Sequence, residues 1–361
     1  MNVPVCPGCS ANLEFDPENG SLKCPYCGRV EAVTADLEAG APEEIPIEVA
    51  LGAAAQTGHL STRAVEVSCP SCGATVQFEP PLVAGACSFC AAKIVAQPKA
   101  ADPLISPQGV LPFAWPKAQA VGAVRQWLAS RWFAPNDLQR MAQPDGLDGV
   151  YLPFWTFDAQ TTTFYEGARG DYYYVSETYT TRENGRPVTR TRQVRRTRWT
   201  PASGRVGNAF DDVLVPATTA IPASRLMALE PWPLANVKPY EPAYLAGFKA
   251  QRYQIDLPGG LAAAKQRMAS AIAASVRQAI GGDEQQILRM STRYAGVTFK
   301  HLLLPVWVGA FRYRDKVYQL TVNATTGEVQ GERPYSAWKI ALAVLAALLV
   351  VLALVLLKAS G

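Results

Sequence analysis

The sequence predicts an α+β protein in three parts: two small β ribbons built on cysteine pairs, a duplicated helix-on-antiparallel-sheet body, and one C-terminal transmembrane helix. Three observations carry this. The eight cysteines form four Cys-x2-Cys pairs within the first 90 residues, helical and strand-like patterns alternate from Gly109 to Pro334, and Ile340–Leu357 is 18 consecutive apolar residues. With 49% hydrophobic and 18% charged residues, the 361-residue chain must bury a core, which excludes disorder and a coiled coil. Its net charge of +4 conceals a split: Met1–Gln108 holds 5 Lys/Arg against 12 Asp/Glu, a balance of −7, leaving +11 for the remainder.

The pairs are Cys6/Cys9, Cys24/Cys27, Cys69/Cys72 and Cys87/Cys90, and the second set is the first displaced by 63 positions. The displacement also carries Leu13 onto Val76, Phe15 onto Phe78 and Pro17 onto Pro80, so a whole segment is repeated. Fourteen residues separate the pairs in each copy, one short of the usual spacing for a four-thiolate zinc site, and a hairpin absorbs that difference. We expect two Zn2+ ions, one on Cys6, Cys9, Cys24 and Cys27 and one on Cys69, Cys72, Cys87 and Cys90. Four ligands close the shell and leave no place for water, so these zinc ribbons are structural. A reducing compartment argues against disulfides, and a redox Cys-x2-Cys would come singly; spacing alone also admits iron. Gly28 and Gly73 supply a permissive backbone after two of the knuckles. The expected boundaries are ribbon 1 at 1–32, a flexible linker at 33–64 with a solvent-exposed His59, ribbon 2 at 65–96, a linker at 97–108 and the body at 109–334.

In the body, a helix opening at Pro116 puts Val121, Val124, Leu128 and Trp132 on one stripe, and a second from about Pro258 to Ile280 does so with Leu261, Met268, Ile272 and Val276. Each precedes a strand bearing Leu-Pro, LPFW at 152–155 and LPVW at 304–307. This predicts two similar halves, about 109–215 and 240–330, with the strand prolines at edges or bulges. Asn184-Gly185 marks a type I′ hairpin. In its second strand Arg190, Arg192, Arg196 and Arg198 fall on one face, able to meet anionic lipid or nucleic acid. His301, within an apolar strand, reads as a core histidine.

The apolar run sets a transmembrane helix at 338–357, long enough to span a bilayer, with Tyr335 and Trp338 at the headgroup level and Lys339 and Lys358 as charged stops bracketing Ile340–Leu357. Only Lys358–Gly361 follows, so the chain reads as tail-anchored and single-pass in the inner (cytoplasmic) membrane. The excess of basic residues before the span puts the N-terminal domains in the cytoplasm. No phosphate loop, dinucleotide fingerprint, zinc-protease or hydrolase motif occurs, which points away from an enzyme. Two centres of four thiolates on an already acidic segment would repel a phosphate backbone, so nucleic acid is a disfavoured partner for the ribbons.

The CPxC knuckles, YLPFWTFDAQ (Tyr151–Gln160), YEGARGDYY (Tyr165–Tyr173), LLPVW (Leu303–Trp307) and VNATTGEVQGERPYS (Val322–Ser336) together resemble a bacterial family of tail-anchored zinc-ribbon membrane proteins, often labelled helicase-like after the primosomal replication factor Y. The resemblance implies a partnership with phage-shock-type and flotillin-like (SPFH) membrane-stress proteins, recruited to the bilayer. The helicase label follows the cysteines alone, and without a phosphate loop no ATPase activity is carried over. The reading is a non-enzymatic, membrane-anchored zinc-ribbon adaptor for cytoplasmic proteins. A nucleic-acid-binding, replication-associated protein and a membrane-bound enzyme with a site in the body are the alternatives.

Overall fold

Long β-strands dominate the chain. The computed structural model describes residues 4–33, 40, 42–52, 57–58, 65–69, 75–78, 84–87, 89, 93–95, 104–135, 146–183, 186–313 and 316–360. The elements that build the body are β1 (Ile45–Pro46), β2 (Gly109–Val110), α1 (Lys117–Ala129), β3 (Asp148–Glu183), β4 (Arg186–Pro216), β5 (Lys249–Ala250), α2 (Leu257–Ile280), β6 (Glu284–Tyr313), β7 (Lys316–Asn323), β8 (Val329–Gly331) and α3 (Ala337–Ser360). β3 is central, antiparallel to β4 on one side and to β6 on the other. Along its far side β6 meets β1, β2 and β7 in turn, and β8 extends β7.

The two Leu-Pro segments meet at the centre, where Leu152 lies opposite Leu304. Around this point one set of bonds occurs twice. β2 runs parallel beside Leu302–Leu303 of β6, and β5 runs parallel beside Val150–Tyr151 of β3. The Trp155 indole N–H donates to the Ile255 carbonyl at 2.9 Å, just before α2; that of Trp307 donates to the Trp115 carbonyl at 2.8 Å, just before α1. The Ala217 carbonyl accepts from the N–H groups of Gln254 and Ile255, and the Ala324 carbonyl accepts from those of Ala114 and Trp115. Both alanines open an Ala-Thr-Thr triplet, at 217–219 and 324–326. The lead-in of α1 is thus bonded to the β6–β7 hairpin and that of α2 to the β3–β4 hairpin.

Two expectations about the sheet are corrected by this arrangement. The meander is not purely antiparallel, because β2 and β5 pair in parallel. Pro153 and Pro305 lie in interior strands rather than at edges, yet each falls where one neighbouring strand ends and the next begins, β5 to β4 for Pro153 and β2 to β7 for Pro305. Their carbonyls accept from Ala217 and Ala324 on that side. An N–H would point the same way, so the missing donor falls in a gap in the ladder.

α2 covers one face of the long sheet. Along β3, Trp155, Phe157, Ala159, Thr161, Thr163 and Tyr165 are buried while Thr162, Phe164 and Glu166 are exposed, the period of two that a half-covered strand shows. Asp256 caps α2 by accepting from the Gly259 N–H at 2.9 Å, and Gly260, Ala264, Met268, Ile272 and Val276 are buried. α1 buries Ala120, Val121, Val124 and Leu128 but ends at Ala129, so Trp132 does not continue the stripe and stands 68% exposed. Beyond Gly170, β3 pairs with β4 alone, giving a two-stranded arm of 13 residues on the β3 side, roughly 44 Å long at about 3.4 Å per residue. Its Asn184-Gly185 turn lies outside the described residues.

Within the stretch expected to be a flexible linker, residues 42–52 dock on the body: β1 pairs with Thr298–Phe299 and Ile47 is buried beside Trp155 and Phe299. His59 lies outside the described residues. His301 is a core histidine, with its ring against Trp155 and Tyr253 and its Nδ1 3.0 Å from the Ile105 carbonyl. Burial holds its pKa down at about 4, so the ring is neutral at physiological pH.

At Gly260 the backbone of α2 lies directly on Trp155, since a Cβ there would lie 2.5 Å from Trp155 Cδ1. Alanine gains about 1 kcal/mol in helix propensity but overpacks a locked ring at about 1–3 kcal/mol. Gly260→Ala should therefore lower stability in chemical denaturation. A stabilised variant would mean that α2 is not seated on Trp155.

Candidate metal centre

The first ribbon is a three-stranded sheet of Glu14–Asp16, Ser21–Lys23 and Val30–Glu31, with a Cys-Pro-x-Cys turn before its first strand and another between its second and third. In each turn the residue after the second cysteine closes the loop: Ser10 donates its N–H to the Cys6 carbonyl and Gly28 donates to that of Cys24. Both take the left-handed conformation, with φ of 58° and 74°. The glycine signal at Gly28 holds, while Ser10 adopts the same turn without one. Leu13, Phe15 and Leu22 are buried as its small core.

The four sulfurs converge. Sγ of Cys6 lies 3.5 Å from that of Cys27, and Sγ of Cys9 lies 3.4 Å from Cys24 and 3.7 Å from Cys27. All four fall within 4.8 Å of one another. A tetrahedron with metal–sulfur bonds of about 2.3 Å has edges of roughly 3.8 Å, so the cluster fits one four-coordinate metal ion with little adjustment. None of these cysteines forms a disulfide, whose sulfurs would stand about 2.05 Å apart. Backbone donors favour charge on two of them: the Cys27 N–H holds the Cys24 thiol down at about 6, and the Gly8 N–H, 3.4 Å from the sulfur, lowers Cys6. Cys9 has the Ala11 N–H drawing it down, yet the crowd of sulfurs, Cys24 first, pushes it up to about 12. Four thiolates this close cannot all ionise without a cation among them.

The ribbon is not free of the body. Phe15 packs edge-on against Tyr244 at 5.4 Å and donates its N–H to the Ala246 carbonyl at 2.9 Å. In the second ribbon, Val65–Ser68 pairs with Thr75–Phe78 and Ala84–Ala86 with Lys93–Val95. Cys69, Cys87 and Phe89 are buried in the same apolar cluster as Leu111 and Val150. Cys72, Cys90 and Gly73 lie outside the described residues, and with them the rest of the expected second site.

A second group of potential ligands escaped the sequence reading. Glu44, Asp158 and Asp211 bring their oxygens within 4.8 Å at the bulge after Phe157. A cation already serves this group: Lys300 Nζ lies 3.1 Å from Glu44 and 2.7 Å from Asp212. Burial first, then the neighbouring Glu44, pushes Asp158 up to about 6. The arrangement straps β1 to the body. No short-range pattern could have revealed it, because its members come from three distant segments.

The register places Arg190, Arg192, Arg196 and Arg198 on one face of the arm, opposite Tyr179, Glu177, Tyr173 and Asp171. Glu177 pairs with Arg196 at 2.7 Å and Arg192 at 3.4 Å, while Arg192 and Arg198 also cover Tyr179 and Tyr173. The face is thus a braced, partly neutralised ladder rather than a bare cationic strip. Exposed pairs of this kind each contribute about 0–1 kcal/mol.

Replacing one ligand leaves three thiolates and an alcohol. Cys24→Ser should reduce the metal content by one ion per chain, and the metal of the unaltered ribbon should dissociate more readily as pH falls because protons compete for sulfur. Elemental analysis after dialysis against a chelator at pH 8 and pH 5.5 reads both effects. Equal metal content in the two proteins would show that Cys24 is not a ligand.

In sequence the chain is similar to the uncharacterized protein YdjG of Bacillus subtilis (strain 168). The two are 26% identical over 345 residues, covering 93% of this chain and 91% of that protein. No family model matches the chain, and neither does any solved structure.

Proposed function

We propose that the protein is a non-enzymatic adaptor, anchored in the cytoplasmic membrane by α3, whose zinc ribbons and body present a surface to a cytoplasmic partner. The observation that carries the reading is α3 itself: Ala337–Leu357 has a mean hydropathy of 3.4, and none of it is buried against the body. A surface of that kind in water would aggregate, whereas in a bilayer it is satisfied. Arg333 and Lys339 before the apolar run, against Lys358 after it, favour a cytoplasmic body.

Zinc suits four thiolates with no open position, which leaves the metal a structural role. His301 is a poor catalytic base in this reading, since it is sealed in the core and burial holds its pKa down at about 4. The doubled bonding around the Leu-Pro strands supports a body built from two copies of one unit. A partner of the flotillin-like or phage-shock class remains what the family resemblance implies. Docking of the first ribbon on the body favours a rigid recognition surface over two independently moving modules.

Deleting residues 338–361 should leave a soluble protein, and a partner that depends on this adaptor should leave the membrane fraction with it. Cell fractionation, with immunoblots for a tagged flotillin-like or phage-shock protein, tests both. A deletion variant that still sediments with membranes after a carbonate wash would refute the anchor. A partner that stays bound when the anchor is gone would refute recruitment.

A further inference from the structure

Trp132 does not continue the buried stripe of α1, and its surroundings explain where it goes. α1 ends at Ala129, and the chain then turns through Arg131–Pro135. This corner is tied to the first turn of α3 by three contacts. The Ser336 N–H donates to the Phe133 carbonyl at 2.8 Å, and the Lys339 ammonium donates to the carbonyls of Trp132 at 2.9 Å and Ala134 at 2.8 Å. Ser336 in turn accepts the Ile340 N–H at its carbonyl, so the same residue starts the helix and holds the corner.

The apolar run begins at Ile340, one residue after Lys339. Whatever lies within reach of a single lysine side chain from position 339 therefore sits at the level where the helix enters the hydrocarbon. At that level Trp132 is 68% exposed, Trp338 76% and Tyr335 62%. Phe133 packs on Trp132 with ring centroids 5.3 Å apart, and two guanidiniums lie over neighbouring rings, Arg333 on Tyr335 and Arg131 on Trp127. Amphipathic aromatics mixed with cations are the composition that partitions into a headgroup layer.

From this juxtaposition we infer that the Trp132–Phe133 corner is a second membrane contact, inserted in the headgroup region of the leaflet that α3 enters. It would seat the body on the bilayer in one orientation instead of letting it swing on the helix. The inference rests on reading α3 as the membrane anchor. Its occupant is the lipid interface because the corner is continuous with the start of the apolar helix, and the carbonyl bonds to Lys339 fix it there.

The test uses the full chain reconstituted into vesicles of phosphatidylcholine brominated near the headgroup end of the acyl chains, with tryptophan fluorescence as the readout. Trp132→Phe and Trp338→Phe each keep an aromatic ring at an exposed site while removing one fluorophore. Each should lower the bromine-quenched fraction, by about half if the two indoles at the interface account for it. If Trp338→Phe lowers the quenched fraction while Trp132→Phe leaves it at the wild-type value, the anchor stands and the corner contact is wrong. If neither variant changes it and carbonate strips the protein from the vesicles, the anchor itself fails and takes the inference with it.

Discussion

The pairing of β3 with β6 through their Leu-Pro segments is the constraint on which the other elements depend. A slip of one residue there would send every side chain of one strand to the opposite face of the sheet, and with them the seat of α2. Two indole N–H groups lock the register from outside the ladder: Trp155 to the carbonyl before α2 and Trp307 to the carbonyl before α1. Each is a buried donor that would be costly to leave without a partner, so the helix lead-ins are held wherever the strands put the tryptophans. Sheet register thereby becomes helix position.

The cysteine cluster and the apolar helix α3 both inherit their placement from this core. β5 runs beside β3, and the chain just before it, Tyr244 to Ala246, receives Phe15 of the first ribbon. Four sulfurs that crowd to 3.4–3.7 Å need a cation to be stable as thiolates, so a metal held there would be coupled to the ribbon's docking face through a core of only a few side chains. At the other end, the turn after α1 holds the first residues of α3. Ribbon, sheet and apolar helix therefore form a connected path.

Features set by residues close together in the chain are legible in the sequence by itself. The Cys-x2-Cys spacing places two knuckles whatever the rest of the chain does, and the apolar run of 18 residues is long and apolar enough for a helix that could cross a bilayer. The stripe of α2 and the two-residue hairpin connection belong to the same class. What stays hidden depends on distant neighbours. Pro153 and Pro305 look like edge residues until the change of neighbouring strand is known. Glu44 looks like linker charge until Lys300 and Asp158 are brought to it. Trp132 fits the period of α1, and only the actual helix end at Ala129 turns it outward. The Ala-Thr-Thr triplets are visible as letters, but nothing in the sequence shows that both carbonyls receive a helix lead-in.

The central claim is that a metal ion holds the first ribbon, and through Phe15 its contact with the body, while the paired Leu-Pro strands stand without it. Hydrogen–deuterium exchange on the full chain in detergent, metal-loaded against chelator-treated, tests this most directly. The account predicts faster exchange after metal removal in residues 4–31 and around Tyr244–Ala246, with the amides of β3 and β6 near Leu152 and Leu304 still protected. Unchanged exchange at 4–31 would contradict it.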